Sequence, residues 1–518
     1  MVQAFQRVLV LAEEGAGQAE DADVLAALPP VFSSEPAGRQ HRIRRTWLDT
    51  FDWRLYRAGL TLQHITGSGP GQLVLTGPGG EIDCQQAGRI SWPALAACLP
   101  TGPVQDRLAS LAGVRALLPA ARAVSTVRDF RVLNADTKTI AWIRVDRPSV
   151  TYPAPADVPA ELTVTSVRGY QGQTERIAQL LATVPGVNSH APKALETALA
   201  AAGQRPGDYS SKINFALKPG MPARAAMKSV LLRLLDTLEA NVSGTIRDTD
   251  TEFLHDLRVA VRRTRSALKL TGDVLPAGVR DRFGPEFKWL GDLTTPSRDL
   301  DVYTLNYDAM AAGLLAATPA ELEPFRTHLV SQRAKEHRAL VRGLRSARFT
   351  ALTSEWRRTL SKLRPARGLS AGDLAAGRID RARRKVLHRG HAITAQSPPE
   401  DLHNLRKRCK ELRYLLEFFA SLYEPRAYQS AVKELKGLQD CLGEFQDGQV
   451  QEHEIRFFAG QMLAGREAPV TAILAMGELA GQVAAGQRRA REQFAGRFSE
   501  FASPEGDRRF HALTGVTL

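Results

Sequence analysis

Five residues, His255, Arg258, Arg262, Arg265 and Lys269, follow one another at intervals of 3, 4, 3 and 4. At about 100° per residue they fall within about 80° of a helix circumference, as one continuous basic stripe. Leu254, Leu257, Val261 and Leu268 occupy the adjoining arc, which periodicity predicts to face the core. Further on, His403, Arg406, Lys410 and Arg413 flank Leu402, Leu405, Cys409 and Leu416 in the same way. Like charges stacked one turn apart destabilise an isolated helix, and no acid interrupts the second stripe before Glu417. Two readings follow. Asp292, Asp299, Asp440 and Asp447 on later helices could neutralise the stripes internally, or the stripes could be two facing walls of a groove for a polyanion.

The excess of cations favours the groove. Arginine offers forked donors to phosphate oxygens and lysine a point charge, so a row at about 5–6 Å spacing suits a repeating phosphate chain. Lys288 and Lys436 extend the two sets, as do Arg233 and Arg381, with Arg384, Lys385 and His388 continuing in the second. Tyr414, Phe418 and Phe419 accompany only the second stripe, so neither set is built as a stacking platform. That argues against single-stranded nucleic acid; an inorganic phosphate polymer needs no stacking. The recurrence of His255 as His403 points to an anion contact or a hydrogen bond that orients the helix. His255-Asp256 could also be the metal dyad of an HD-type phosphohydrolase, but the second copy reads His403-Asn404 and no metal-spaced set accompanies it. No catalytic residue, cofactor or metal ligand is assigned.

The stripes must be carried by helices, and the helices repeat. A shift of 148 residues lays Leu254-His255-x-Leu257-Arg258 on Leu402-His403-x-Leu405-Arg406. It also matches Arg233 with Arg381, Arg262 with Lys410, Arg265 with Arg413 and Lys288 with Lys436. Leu290 then matches Leu438, Asp292 matches Asp440 and Asp299 matches Asp447. One ungapped offset over this span predicts an internal duplication. Apolar residues at helical spacing predict helices over 221–242, 252–270, 326–348, 349–363, 377–393, 402–423 and 427–442. Pro276, Pro296, Pro319, Pro365 and Pro398-Pro399 are expected between helices. The expectation is an all-α region, 211–518, made of two duplicated four-helix bundles with halves 211–365 and 366–518. The basic tail from Arg488 to Arg509 is expected to be a solvated helix.

Over its 518 residues the chain carries 69 Lys+Arg against 55 Asp+Glu, a net charge of +14. Residues 1–210 hold 20 against 19, leaving 49 against 36 for residues 211–518, so nearly all the excess lies with the helices. With 43% hydrophobic and 24% charged residues it can bury sizeable cores. No apolar run approaches the roughly 20 residues of a membrane helix, and the start lacks the basic-then-apolar order of a signal peptide. Cys84, Cys98, Cys409 and Cys441 show neither CxxC nor zinc-finger spacing. A soluble cytoplasmic protein is the expectation.

Residues 1–205 read as an α+β domain. Strands are predicted at 7–11, 60–62, 72–75, 139–145 and 161–167, separated by Gly/Pro turns such as 67–71 and 77–80. Helices are predicted at 103–118 and 174–183, and the helix-forming stretch 192–208 reads as the junction.

The two stripes, His255-Asp-Leu-Arg258-x-x-x-Arg262-x-x-Arg265 and His403-Asn-Leu-Arg406-x-x-x-Lys410-x-x-Arg413, resemble the CHAD domain, the conserved-histidine α-helical domain. That resemblance covers about 300 residues; it implies two four-helix bundles around a basic channel that binds inorganic polyphosphate and associates with polyphosphate granules. The segment Trp47-Leu-Asp-Thr-Phe-Asp-x-x-Leu55-x-x-Ala58-Gly59-Leu-Thr-Leu62 resembles the CYTH domain, a tunnel-like β-barrel that handles triphosphates. CYTH enzymes typically open on a strand of the type Glu-x-Glu-x-Lys, whose acids hold metal; here it reads Gln3-Ala-Phe-Gln-Arg7. A later acidic strand keeps only Glu161, with Thr163 and Thr165 in the other places. One carboxylate cannot hold a metal pair beside triphosphate, so this domain is expected to be degenerate and not an enzyme, with Arg44, Arg128 and Arg144 as weak phosphate contacts.

The function expected is polyphosphate binding at granules, with reversal of Arg258 and Arg406 to Glu abolishing binding but leaving helicity intact. The rivals are a triphosphate or polyphosphate hydrolase using the N-terminal tunnel, and a basic nucleic-acid-binding module. A scaffold that recruits other granule proteins is compatible with the first reading. No membrane partner is expected.

Overall fold

Alternation of apolar with polar side chains, the period-2 signature of a half-buried strand, builds an antiparallel sheet from the N-terminal residues. Its main strands are β1 (Gln6–Leu11), β2 (Ser33–Pro36), β3 (His41–Thr50), β4 (Thr61–Thr66), β5 (Gln72–Gly77) and β6 (Gly80–Gln86). The short β7 (Ala94–Leu95) and the long β8 (Ala116–Leu133) and β9 (Thr139–Tyr152) follow, then β10 (Ala156–Asp157), β11 (Ala160–Ser166) and β12 (Val187–Asn188). The order is β12-β1-β11-β9-β8-β3-β4-β5-β6, with β2 and β7 on β8 and β10 on β9. This computed structural model describes residues 5–11, 25–67, 69–78, 80–188, 193–211, 215–366, 368–465 and 468–514, so Gln3 lies outside the described residues.

The sheet is a curled half-barrel where a tunnel-like barrel is expected. Its flanks approach where the Glu81 N–H of β6 donates to Gln6 Oε1 of β1 at 2.6 Å. No backbone ladder joins β1 to β6 among the described residues. The helix predicted at 103–118 stops at Ala112, because Gly113 turns to φ +56° and Ala116–Leu118 begin β8. The Trp47–Leu62 motif has a local structural use. Asp49 accepts the N–H groups of Thr50 (2.7 Å), Leu55 (3.0 Å) and Tyr56 (2.9 Å), fixing the turn and short helix Arg54–Arg57 between β3 and β4.

Contacts divide the chain into two units, Met1–Ser211 and Lys212–Leu518. The second is helical: α1 (Ala223–Ile246), α2 (Thr251–Thr271), α3 (Val279–Ala312), α4 (Pro319–Leu344), α5 (Ala347–Lys362), α6 (Ala371–His391), α7 (Pro399–Phe418), α8 (Pro425–Ala464), α9 (Val470–Phe501) and α10 (Pro504–Thr514). The 148-residue shift is visible in the backbone. Ala223 N–H donates to Leu369 O at 2.9 Å, and Ala371 N–H donates to Met221 O at 2.8 Å. Ala371 is the repeat equivalent of Ala223 and Leu369 that of Met221, so the two bonds are copies of each other and the halves meet here about a local two-fold relation.

Three expectations change here. Each half contributes five described helices where two duplicated four-helix bundles are expected, and one continuous core runs from Phe215 through Trp356 and Leu405 to Leu513. The apolar faces of α2 and α7 are covered in part by each other. A further core joins α3 and α4 to α8 and α9 through Tyr303, Phe325, Ile455 and Met476. Pro296 lies inside α3 and not at its end. The lost N–H and ring clash cost roughly 3 kcal/mol, offset by burial of Phe283, Phe287, Leu290 and Leu300 along the same helix. The tail is no solvated helix: Phe494, Phe498, Phe501 and Phe510 are buried, and buried Arg383 binds Asp507 at 2.6 Å while stacking over Phe510.

Candidate functional site

Helix α2 starts where Asp250 accepts the N–H groups of Glu252 (2.9 Å) and Phe253 (3.2 Å). Leu254, Leu257, Val261 and Leu268 then enter the core, as Leu402, Leu405, Cys409 and Leu416 do on α7. The stripes border this buried contact. His255, Arg258, His403, Arg406, Lys410 and Arg413 are half-buried, while Arg262, Arg265 and Lys269 are exposed.

Side chains tie the two helices together beside the stripes. Arg263 donates to Glu417 at 2.8 and 3.1 Å, and Lys269 Nζ lies 2.6 Å from Glu411. These are the same pair of repeat positions used twice with the charges exchanged, since Arg263 corresponds to Glu411 and Lys269 to Glu417. The Arg262 guanidinium lies over the Tyr414 ring at 5.7 Å. The helices therefore bring Arg262 close to Lys410, its own repeat equivalent.

Several expected ligands already have partners. Arg258 bonds Thr295 and lies 3.9 Å from Asp299; Arg406 bonds Asp447 at 2.9 Å. Lys269 serves the interhelical pair, and Arg413 bonds Glu417 at 2.9 Å and Gln439 at 3.2 Å. Lys288 pairs with Asp292 at 2.7 Å, and Arg384 with Asp380, each one turn away on its own helix. His403 Nδ1 meets Gln446 Oε1. Arg233 is half-buried on α1, which packs on α2; Arg381 and Lys436 are exposed on α6 and α8. Arg262, Arg265 and Lys410 form no ion pair among the described residues. Internal neutralisation and a free basic centre thus coexist.

The electrostatics centre on Lys410. Burial, then Arg406 and Arg262, push its ammonium down to about 8, with Arg258 adding to the effect and Asp447 opposing it. Burial, then Arg262 and Arg298 among its neighbours, also lowers Arg258. His255 is lowered by burial first and by Arg298 next, which favours the neutral imidazole. On the acidic side, burial raises Asp299 to about 6; Glu454 and Asp447 of α8 push the same way, and Arg258 and Arg298 oppose. Crowded, partly desolvated cations are stabilised by any arriving anion.

Arg298 was not among the expected residues. It donates to Thr251 O at 3.1 Å and approaches Glu252 at 3.9 Å, beside His255. Its repeat equivalent is Gln446, the partner of His403, so the 148-residue shift applied to every polar residue near the stripes finds it. In the N-terminal unit, Arg44, Arg128 and Arg144 are exposed, and Arg144 bonds Asp129 at 2.7 Å. Two arginines are buried there among the described residues: Arg115, near Asp52 at 3.8 Å, and Arg45, paired with buried Asp146 and bonded to Gln63 at 2.5 Å. Glu161 accepts the Ala194 N–H at 3.0 Å, and burial raises its carboxyl.

These features define a helical domain with two basic helices packed about a local two-fold. Residues 229–456, from within α1 to near the end of α8, match the family model of the CHAD domain, and that segment is a CHAD domain. Among solved structures, the helical region is similar to the CHAD domain from the plant Ricinus communis, at 25% identity, covering 55% of this chain and 95% of that one with a TM-score of 0.47. It is also similar to PptA from Streptomyces chartreusis, at 15% identity, covering 54% and 99% with a TM-score of 0.44. Comparison with curated proteins returns no match. No helix among the described residues is long and apolar enough to cross a membrane.

Proposed function

We propose that the helical unit binds inorganic polyphosphate along the two stripes, as the CHAD resemblance implies. One observation carries the reading: Arg262 and Lys410 stand together with no ion-pair partner among the described residues, and burial first, then the neighbouring Arg406 and Arg262, depress the ammonium. A phosphate chain lying along the edge of the α2–α7 contact stabilises the charged form of Lys410 and supplies the missing counter-ions. Arg265 extends this centre on one wall, and Arg258 and Arg406 flank it one turn away. Duplication of one helical unit accounts for the two walls. Binding of this kind is dominated by counter-ion release and weakens steeply with salt.

The N-terminal half-barrel is a degenerate CYTH-like domain on this reading, without catalysis. Its residues do not fit a metal pair: Glu161 is committed to Ala194 N–H, Asp146 to Arg45, and Gln6 to Glu81 N–H. Location in the cytoplasm at polyphosphate granules, with other granule proteins as partners, is part of this proposal and rests on the CHAD resemblance.

The test is titration of the full chain with long-chain polyphosphate at several salt concentrations, with RNA as competitor. Tight, salt-sensitive binding that RNA fails to displace at equal phosphate concentration is expected. Displacement by RNA would favour the nucleic-acid module, and metal-dependent phosphate release from tripolyphosphate would favour the hydrolase.

A further inference from the structure

The same ion pair occurs twice at the edge of the basic centre. Arg258 of α2 lies 3.9 Å from Asp299 of α3, and Arg406 of α7 bonds Asp447 of α8 at 2.9 Å. Both arginines and both aspartates are related by the 148-residue shift. The side chain of Asp299 is half-buried at 46% exposure and that of Asp447 is exposed at 61%, whereas their arginines are 27% and 19% exposed. The carboxylate is therefore the more exposed member of each pair, and it already occupies the guanidinium that an incoming anion would seek. Lys288–Asp292 differs: it is a one-turn pair on a single helix with both groups in solvent.

We infer that Asp299 and Asp447 are built-in competitors of the polyanion, occupying Arg258 and Arg406 until a chain long enough to reach past Arg262 and Lys410 displaces them. The inference rests on the polyphosphate reading and adds a determinant of chain length to it. A short anion held by Arg262 and Lys410 leaves both ion pairs intact. A longer chain has phosphates left over for Arg258 and Arg406, each one turn before the unpaired cation on its own helix and both within reach of Lys410, so it must break both pairs. Exposed pairs of this type are weak, each worth about a threefold change in affinity. The carboxylates thus disfavour casual anions at the flanking arginines, while a polymer held at many other points overcomes them. Their repulsion of phosphate oxygens adds to the same discrimination.

The experiment compares the full-length wild type with Asp299→Asn, Asp447→Asn and the double variant, using pyrophosphate and long-chain polyphosphate as probes. Asp308→Asn is the control of equal charge change, since Asp308 is 87% exposed and pairs with Arg326. The double variant is expected to bind long-chain polyphosphate about tenfold tighter, from about threefold per carboxylate, with pyrophosphate changed less than twofold and the control unchanged. Equal tightening of both probes, or the same gain from Asp308→Asn, overturns the inference in favour of a general rise in potential. Unchanged affinity in the double variant overturns it while leaving the polyphosphate reading standing. A wild type that binds neither probe overturns both. Circular dichroism on each variant confirms that the helices are intact.

Discussion

Arg262 and Lys410 hold the same position in the two halves of the helical unit, and the Lys410 ammonium is depressed by burial first and then by its neighbours Arg406 and Arg262. Tyr414, one turn beyond Lys410, carries the Arg262 guanidinium on its ring. A helix pair of this kind collects cations from both repeats at its centre, and the neighbouring ion pairs Arg263–Glu417 and Lys269–Glu411 hold the helices in register.

Neutralising this centre should remove binding without loosening the fold. Arg262→Gln, Arg265→Gln and Lys410→Gln cut no ion pair, so their combination is expected to keep the wild-type Tm within a few degrees. The salt dependence of polyphosphate binding should fall by about 0.7 in log–log slope for each phosphate that no longer meets a cation. An unchanged slope would place the chain elsewhere.

Charge reversal at Arg258 and Arg406 should cost stability as well as binding, with the helices intact below the melt. Arg258→Glu sets two carboxylates together at Asp299, and Arg406→Glu does so at Asp447. The expected result is abolished binding together with a lowered Tm, measured by thermal melts at low and high salt. Retained Tm at low salt would show the pairs to be energetically idle.

Lys410 makes binding sensitive to alkali. Its folded-state value of about 8 lies below the ordinary 10.5, so the free protein releases that proton between about pH 8 and 10 while the unfolded chain keeps it. In that window this group makes stability rise with pH. Bound phosphate favours the ammonium, against the opposing charges of Arg406, Arg262 and Arg258, so affinity should fall as pH rises through about 8. Lys410→Arg should flatten the profile, as followed by isothermal titration across the range.

Asp299 acts in the opposite range. Its folded-state value of about 6 exceeds the ordinary 3.8, so between these the folded state holds a proton that the unfolded chain releases. Stability from this group therefore falls as pH rises through about 6, and Asp299→Asn should remove that slope from the Tm profile. Arg258 and Arg298 pull the carboxyl one way, Glu454 and Asp447 the other. Protonation frees Arg258, so polyphosphate binding should tighten on the acid side of about 6.

The central core can be tested at Trp356, fully buried on α5 against Phe283 and Phe287 with ring centroids 4.6 and 5.6 Å away. Trp356→Ala should cost about 3–5 kcal/mol through reduced burial and a residual cavity. Denaturant unfolding measures it directly.

Much of the helical unit is legible from periodicity. Leucines at helical spacing locate α2 and α7, the adjoining arcs place His255–Lys269 and His403–Arg413 beside the core, and an ungapped shift relates them, because helix geometry and repeat register are local properties of a chain. Strand alternation likewise locates β1, β5, β9 and β11. Other features depend on residues distant in sequence. Asp299 and Asp447 reach their arginines 41 residues away only because α3 and α8 fold back along α2 and α7. Lys269 looks like the end of a free stripe until Glu411 of the other half meets it. Pro296 reads as a breaker, but burial on both sides carries α3 through it. Alternation puts Arg45 on the inward face with Ile43 and Trp47 and Arg44 on the outward one, but only the pairing of distant strands supplies Asp146 as its partner. The sequence by itself determined which residues share a face; the tertiary structure decided which charges stay unpaired, since pairing depends on distances between helices that no local pattern encodes.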